Sequence, residues 1–448
     1  MKKKEIFSYP LQTDGYSNQD INAGIKVLLS GQLTMSKKTL EFEKYFAKKI
    51  GAKYCLMVNS GSSANLLALF CAVNPMRKNH LKKGDECLVP AVCWSTTLWP
   101  IIQVGLTPKI LDVNIKNFSL DLKKIKKKIT KKTKAIMIVN VLGNCDELDK
   151  IRQYANKKKI ILVEDNCESL GSVYKKKHLG TYGDFSSFSF YFSHQITAGE
   201  GGMVVCKSEK DFKILKSLRA HGWDREINKK NLNKFNFVNQ GFNLRPLEVS
   251  AAIALNQLKR LNKMMKIRSH NRNMIIKKLK DLNEWDNQFD FFEPIKSLKP
   301  SWFGLPLLID KKYLKKKQLF LNYLKKNKIE TRPIISGNFA NQPAIKLLKI
   351  KKNNKKFVNS QEIENRGFFI GLPTKKIHQL IPKCRILIID DSKNSNIDKI
   401  YKKTKNVKFV IRTNKKGRGS AVLFGLKQSI NNNRNKIFVE MDADFSHK

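Results

Sequence analysis

The sequence predicts an α/β fold with a mostly parallel sheet, followed by a smaller α/β layer. Three observations carry this. Short apolar runs alternate with helical stretches: YCLMVN (54–59), ECLVPA (86–91), AIMIVNVLG (135–143) and IILVEDN (160–166). That alternation is the mark of buried parallel strands joined by crossover helices. Two more strand candidates, FSSFSF (185–190) and GGMVVC (201–206), follow closely. Then a long helical pattern begins at Pro246 and runs to residue 282. Beyond it, SWFGLPLLI (301–309) and IETRPII (329–335) read as strands of a smaller domain.

The elements follow in order. LEFEKYFAKKIG (40–51) is an amphipathic helix. The YCLMVN strand then meets SGSS (60–63) and the apolar helix ANLLALFCAV, a strand, a small-residue turn and a helix start. Near residue 380 the character changes. RILIIDD (385–391), a turn and helix in NKKGRGSAVLFGL (414–426), and IFVEMDADFS form a second small α/β pattern. The expected division is a large domain at 1–260, a small domain at 261–380 and a separate piece at 384–448.

Composition narrows the function classes. The 448 residues suffice for two or three domains with large cores. No apolar run reaches the length of about 18 residues that a membrane span needs. The basic start, MKKKEIFSYP, has no apolar stretch of signal-peptide type. Eight scattered cysteines read as reduced thiols of a cytoplasmic protein. The formal charge of +50 suggests either polyanion binding or a lysine-rich bias over solvated faces. The lysine clusters, such as 123–134 and 349–356, are spread along the whole chain without interleaved aromatics. The expectation is therefore a solvated bias, with no nucleic-acid partner.

Several positions can carry chemistry. Gly61, Ser62 and Ser63 open a helix, where free N–H groups and hydroxyls form either an anion cup or a simple serine cap. Asp165 stands at the carboxyl end of a buried strand, where open α/β sheets contact ligands, although it could equally cap the next turn. Trp94, in PAVCWSTT (90–97), can stack on a planar ring or belong to the core. His194 sits in FYFSHQITAGEGG (190–202), between an apolar run and a glycine-rich strip.

Together these stretches resemble the sugar-nucleotide aminotransferases of DegT/DnrJ/EryC1/StrS type. The residues that carry the resemblance are SGSS, PAVCWSTT, VEDNCESLG, SFSF with GEGG, and GFNLRPLEVSAAIALNQL (241–258), over about residues 8–378. The resemblance implies a fold-type I transferase dependent on pyridoxal 5'-phosphate, with a three-layer αβα large domain. It implies that Ser62, Ser63 and Ser189 hold the cofactor phosphate with Gly61 at the turn. Trp94 would stack on the pyridine ring, Asp165 would pair with the ring nitrogen, and Glu168 would lie beside the ring. Asn243 would reach the neighbouring subunit's phosphate, with Arg245 assisting, so the active unit would be a homodimer with shared sites.

His194 departs from the family's usual pattern, in which that position is a lysine bound to the cofactor aldehyde. Imidazole has no primary amine, and no lysine occurs between Phe185 and Val205. The resting form would then be untethered pyridoxamine 5'-phosphate. Histidine, with an ordinary pKa of about 6.5, keeps the role of general base. The substitution resembles the nucleotide-4-keto-6-deoxyhexose 3-dehydratases, as do RAHGWDRE (219–226) and IETRPIISGNFANQP (329–343). That subgroup expels the hydroxyl at sugar C3, giving a 3-deoxy-4-keto sugar for lipopolysaccharide O-antigen or related glycans. Only Cys206 and Cys384 lie downstream of His194, fewer than the roughly three or four thiolates an iron–sulfur cluster needs. The likeness is thus to the cluster-free branch, of GDP-4-keto-6-deoxymannose 3-dehydratase type, which takes its amine from glutamate. Arg332 and Asn338 are candidate substrate contacts; Arg332 could equally be a structural strand-end residue. A conventional sugar aminotransferase and a pseudo-enzyme holding a nucleotide are the alternatives.

Residues 384–448 resemble family-2 glycosyltransferases of the dolichol-phosphate mannosyltransferase type, through ILIIDDS (386–392), NKKGRGSAVLFGL and EMDADFSH (440–447). The resemblance implies a GT-A-like Rossmannoid piece in which Asp442 and Asp444 bind Mg²⁺ or Mn²⁺. The opening strand and the acceptor half of that family are not found, and the expectation is that this tail replaces the last helix of the dehydratase-like part. The expectation is an incomplete fragment that transfers no sugar.

Overall fold

The computed structural model describes residues 7–12, 15–228, 235–350 and 357–375, and the backbone of 386–390 and 407–411. The chain divides into two units, Met1–Lys376 and Ile377–Lys448.

The first unit is built on a seven-stranded sheet. Its strands are β1 (Tyr54–Val58), β2 (Glu86–Pro90), β3 (Thr107–Leu111), β4 (Thr133–Val139), β5 (Ile161–Asp165), β6 (Phe185–Ser189) and β7 (Gly202–Cys206). Their spatial order is β1-β7-β6-β5-β4-β2-β3. β7 runs antiparallel to both neighbours; the other pairings are parallel. The register lines up one end of the sheet. Val58 faces Gly202, Gly202 faces Ser189, Ser187 faces Asp165, and Asp165 faces Val139. The carboxyl ends of six strands, all but β7, thus open on one edge, where an α/β sheet binds its ligands.

The strands from β2 to β7, apart from edge strand β3, are almost wholly buried, which is why they read as continuous apolar runs rather than alternating ones. β3 was missing from the sequence reading. It is an edge strand with Pro108 inside it and only Ile110 and Leu111 buried, so neither a long apolar run nor an alternation marks it.

The long helix spans Glu248–Lys280, starting two residues after Pro246. Its Ala251, Ala254, Leu255, Leu258 and Leu261 pack into a cluster with Phe42, Phe46, Phe188 and Phe190. Phe42, Phe46 and Phe190 meet edge to face at 5.3–5.9 Å; truncating any one to alanine would cost about 3–5 kcal/mol. The expected boundary at residue 260 lies inside this helix. Its far end belongs to the smaller layer, where Asn271 donates to the carbonyls of Pro373 and Lys375. That layer holds an antiparallel sheet in the order Phe289–Phe291, Gly304–Ile309, Gly367–Gly371, Thr331–Arg332.

In the second unit, strands Ile386–Asp390 and Val407–Ile411 pair in parallel. Among the described residues, no helix is long and apolar enough to cross a membrane.

Candidate active site

The site forms where the strand ends meet the helix Gly61–Ala72. Ser60 is the N-cap of that helix: its Oγ accepts from Ser63 N at 3.1 Å and lies 2.9 Å from Ser63 Oγ. Ser63 is therefore turned toward Ser60 and is buried. Ser62 faces the other way and donates to Thr96 Oγ1 at 3.0 Å. The first N–H groups of the helix have no intrahelical partner, so they present a positive helix end to an anion.

Gly61 is required by close approach. A Cβ there would lie 2.5 Å from Ser189 Cβ and 3.0 Å from Cys167 Sγ. Gly202 is required likewise, because its Cβ would meet the Ser60 carbonyl oxygen at 2.2 Å. The two glycines let the helix start, the end of β6 and the start of β7 come together. Ser62 and Ser189, brought there from separate elements, offer hydroxyls at this edge.

Asp165 is buried at the end of β5. Its Oδ2 accepts from Asn65 Nδ2 at 2.8 Å and Thr97 Oγ1 at 2.7 Å, and its Oδ1 accepts from Cys167 N at 3.1 Å. Asn65 is fixed in turn by Ser187 Oγ at 2.6 Å. The carboxylate is thus held rigidly by neutral donors and has no cationic partner among the described residues. A group with a protonated ring nitrogen would complete it. Trp94 precedes the helix Ser95–Gln103 and is 57% exposed. It is not a core residue, and its ring is free to stack. Thr97, Thr96 and Asn65 were not singled out from the sequence, although both threonines stand in the PAVCWSTT stretch beside Trp94.

Glu168 is partly buried beside Asp165's loop. Its Oε2 accepts from Leu142 N at 2.9 Å, offered by a backbone with φ of 52°. Burial pushes its carboxyl up to about 7; the Leu142 N–H opposes this and the Asp165 charge adds to it.

His194 follows β6 in a turn closed by its N–H to the Tyr191 carbonyl at 3.0 Å. Its ring packs edge-on to Phe303 at 5.2 Å and to Tyr191 at 6.0 Å. Nδ1 is buried without a partner. Burial pulls the imidazole down to about 4; the Tyr191 carbonyl opposes this and the Arg268 charge adds to it. At neutral pH the ring is an uncharged base with a free nitrogen. Gln195 alongside donates to the Glu168 carbonyl and to Ser301 Oγ, tying the histidine turn to the Glu168 segment.

The remaining candidates lie elsewhere. Asn243 and Arg245 are exposed and bonded to each other at 3.0 Å, on a segment pinned to the end of β1 by Asn59 N to the Leu244 carbonyl. Arg332 is exposed and pairs with Glu330 at 3.2 Å. Asn338 is buried; its side chain caps the turn Phe339–Asn341 and donates to Gln361. Asp442 and Asp444 lie outside the described residues.

A phosphate cradle, a fixed carboxylate without a cation, an exposed indole and an orphaned imidazole nitrogen fit pyridoxal 5'-phosphate as a set. Comparison with known proteins agrees. GDP-4-keto-6-deoxy-D-mannose 3-dehydratase of Escherichia coli O55:H7 is 39% identical over 379 residues, covering 82% of this chain and 95% of that one. The solved E. coli GDP-4-keto-6-deoxy-D-mannose-3-dehydratase with bound hydrated PLP superposes with a TM-score of 0.78 at 36% identity, over 84% of this chain and 98% of that one. A GDP-4-keto-6-deoxymannose-3-dehydratase holding a trapped PLP-glutamate geminal diamine gives a TM-score of 0.76 at 37% identity, over 82% and 97% of the two chains. Residues 375–448 match the glycosyl transferase family 2. Residues 16–376 match the DegT/DnrJ/EryC1/StrS aminotransferase family, and the chain belongs to it.

Proposed function

We propose that this chain is a 3-dehydratase of a nucleotide-linked 4-keto-6-deoxyhexose, with GDP-4-keto-6-deoxymannose as substrate and glutamate as amine donor. The observation that carries the reading is His194, an uncharged imidazole with a free buried nitrogen where the family's aminotransferases keep a lysine. Similarity to dehydratases of that substrate supports it.

Pyridoxamine 5'-phosphate supplies a primary amine for the C4 ketone and a ring that accepts electrons. The protein supplies placement and proton transfer. Asp165 holds the ring nitrogen protonated, its own oxygens fixed by Asn65, Thr97 and Cys167 N. Gly61, Ser62 and Ser189, with Ser63 at the same helix start, hold the phosphate. Trp94 covers one ring face, and Glu168 lies beside the ring. His194 takes a proton from the cofactor's C4′ carbon and returns it as the C3 hydroxyl leaves as water, which needs a base free at neutral pH. No amine on this turn can tether the cofactor, so dehydration is favoured over transamination.

Asn243 and Arg245 act on the site of a second copy in a homodimer, which fits their exposure. Arg332 is proposed for a substrate phosphate or carboxylate; Asn338 would contribute through the turn it caps. The reaction belongs to deoxysugar synthesis in the cytoplasm. Mg²⁺ or Mn²⁺ at Asp442 and Asp444 is proposed for the second unit alone.

The test is incubation with glutamate, pyridoxal 5'-phosphate and GDP-4-keto-6-deoxymannose, with products read by mass. A sugar lighter by one oxygen, with 2-oxoglutarate and ammonia, is expected. An amino sugar would make the chain a transaminase instead, and no turnover with cofactor retained would make it a pseudo-enzyme.

A further inference from the structure

Four arginines are buried among the described residues: Arg219, Arg268, Arg272 and Arg366. Three of them meet carboxylates. Arg219 pairs with Glu43 at 2.8 Å and Glu226 at 2.6 Å, Arg272 with Glu293 at 3.0 Å, and Arg366 with Asp290 at 2.5 Å and Glu362 at 3.3 Å. Arg268, 1% exposed, meets none. Its Nη1 donates to the Trp302 carbonyl at 3.2 Å and its Nη2 to Gln12 Oε1 at 3.1 Å. Its Nε is buried without a partner. Burial pulls its pKa down only to about 10, so it is a cation at neutral pH. A buried charge without a counter-ion costs several kcal/mol.

Its neighbours lead to His194. Trp302, whose carbonyl Arg268 holds, has φ of 50°, a conformation costing a non-glycine residue about 1–2 kcal/mol. The next residue, Phe303, donates its N–H to the Leu142 carbonyl at 3.3 Å and turns its ring edge-on to His194 at 78°. Arg268 on one side and Leu142 on the other therefore fix the corner on which the imidazole rests. The guanidinium charge also acts on the imidazole in the same direction as burial.

We propose that Arg268 is a positioning residue for His194. It braces the Trp302–Phe303 corner against the imidazole and sets a permanent positive charge at that corner, so that the ring stays an uncharged base. The groups facing His194 are Tyr191 from its own turn, Phe303 from the start of Gly304–Ile309, Arg268 from the long helix, and the Glu168 segment reached through Gln195. The Tyr191 carbonyl favours a protonated ring; Arg268 opposes it. A neutral residue at 268 would brace the corner but leave the Tyr191 carbonyl unopposed. The inference rests on His194 as the base.

The experiment is NMR titration of the full chain labelled at its seven histidines, with and without pyridoxal 5'-phosphate. The His194 signal is the one lost in His194→Asn. In the parent it should titrate far below the ordinary value of about 6.5. Arg268→Gln should raise its midpoint, whereas Arg268→Lys, which keeps the charge, should leave it low. Equal midpoints in the parent and a folded glutamine variant would overturn the proposal. If the glutamine variant does not fold, a midpoint of about 6.5 in the parent or in the lysine variant would overturn it. No turnover is needed. A low midpoint with failed dehydration would therefore refute the function alone, and an ordinary midpoint with successful dehydration would refute this inference alone.

Discussion

Replacing Glu168 by glutamine removes one ionisable group and keeps both its shape and an acceptor for Leu142 N. In the folded chain the carboxyl is pushed up from 4.5 to about 7, by burial first and by Asp165 next, against the Leu142 N–H. A carboxyl raised by folding binds its proton more tightly in the folded state. Its favourable contribution is complete below about pH 4.5 and is lost as the pH rises through about 7. Tenfold in proton affinity is about 1.4 kcal/mol, so the limit is about 3 kcal/mol. The residue is only partly buried, which reduces this to about 1–2 kcal/mol. Glu168→Gln should therefore stabilise the cofactor-free chain by that amount at about pH 8 and by little at about pH 5. Thermal scans of both proteins at both pH values read it directly, each kcal/mol moving the midpoint by about 1 °C. An offset that is the same at both pH values would refute the reasoning, because a structural effect of the amide would not follow a proton.

Other outcomes follow from the same geometry. Gly61→Ala places a Cβ 2.5 Å from Ser189 Cβ; at about 1–3 kcal/mol of overpacking it should weaken pyridoxal 5'-phosphate binding about tenfold or more, read by fluorescence titration. Asp165→Asn turns an amide toward the donors Asn65 and Thr97. It should lower the melting temperature through about 1–3 kcal/mol of unmade bonding and reduce cofactor retention on gel filtration; full retention would argue against the ring-nitrogen role. His194→Lys should allow borohydride to fix the cofactor to the protein, visible by mass, whereas the parent should stay unlabelled.

The lessons about legibility lie in particular residues. The main strands were readable because burial on both faces makes each an unbroken apolar run, as in ECLVP and FSSFS. β3 was not, since its proline and its place at the sheet edge leave neither pattern. The long helix was legible in extent but not in allegiance: one continuous helix serves both layers, and no local signal marks residue 260 as the middle of it. Asp165, Gly61 and Ser189 were found because short motifs carry them. Asn65 and Thr97, which hold Asp165, were not, because a hydroxyl and an amide reveal their partners only when the chain is folded.

The sequence by itself determined the class of fold, the short motifs at the strand ends and the absence of an amine at the histidine turn. Those depend on local composition and on which side chain occupies one position. The tertiary structure decided which serine caps and which faces outward, that Trp94 is exposed, and that Asn338 is spent on a turn. It alone showed that burial lowers the His194 pKa and that Arg268, with no carboxylate partner among the described residues, holds the Trp302 carbonyl next to Phe303. Protonation and counter-charge are set by burial and by neighbours distant in sequence, such as Arg268, Trp302 and Gln12, and those distances exist only once the chain has folded.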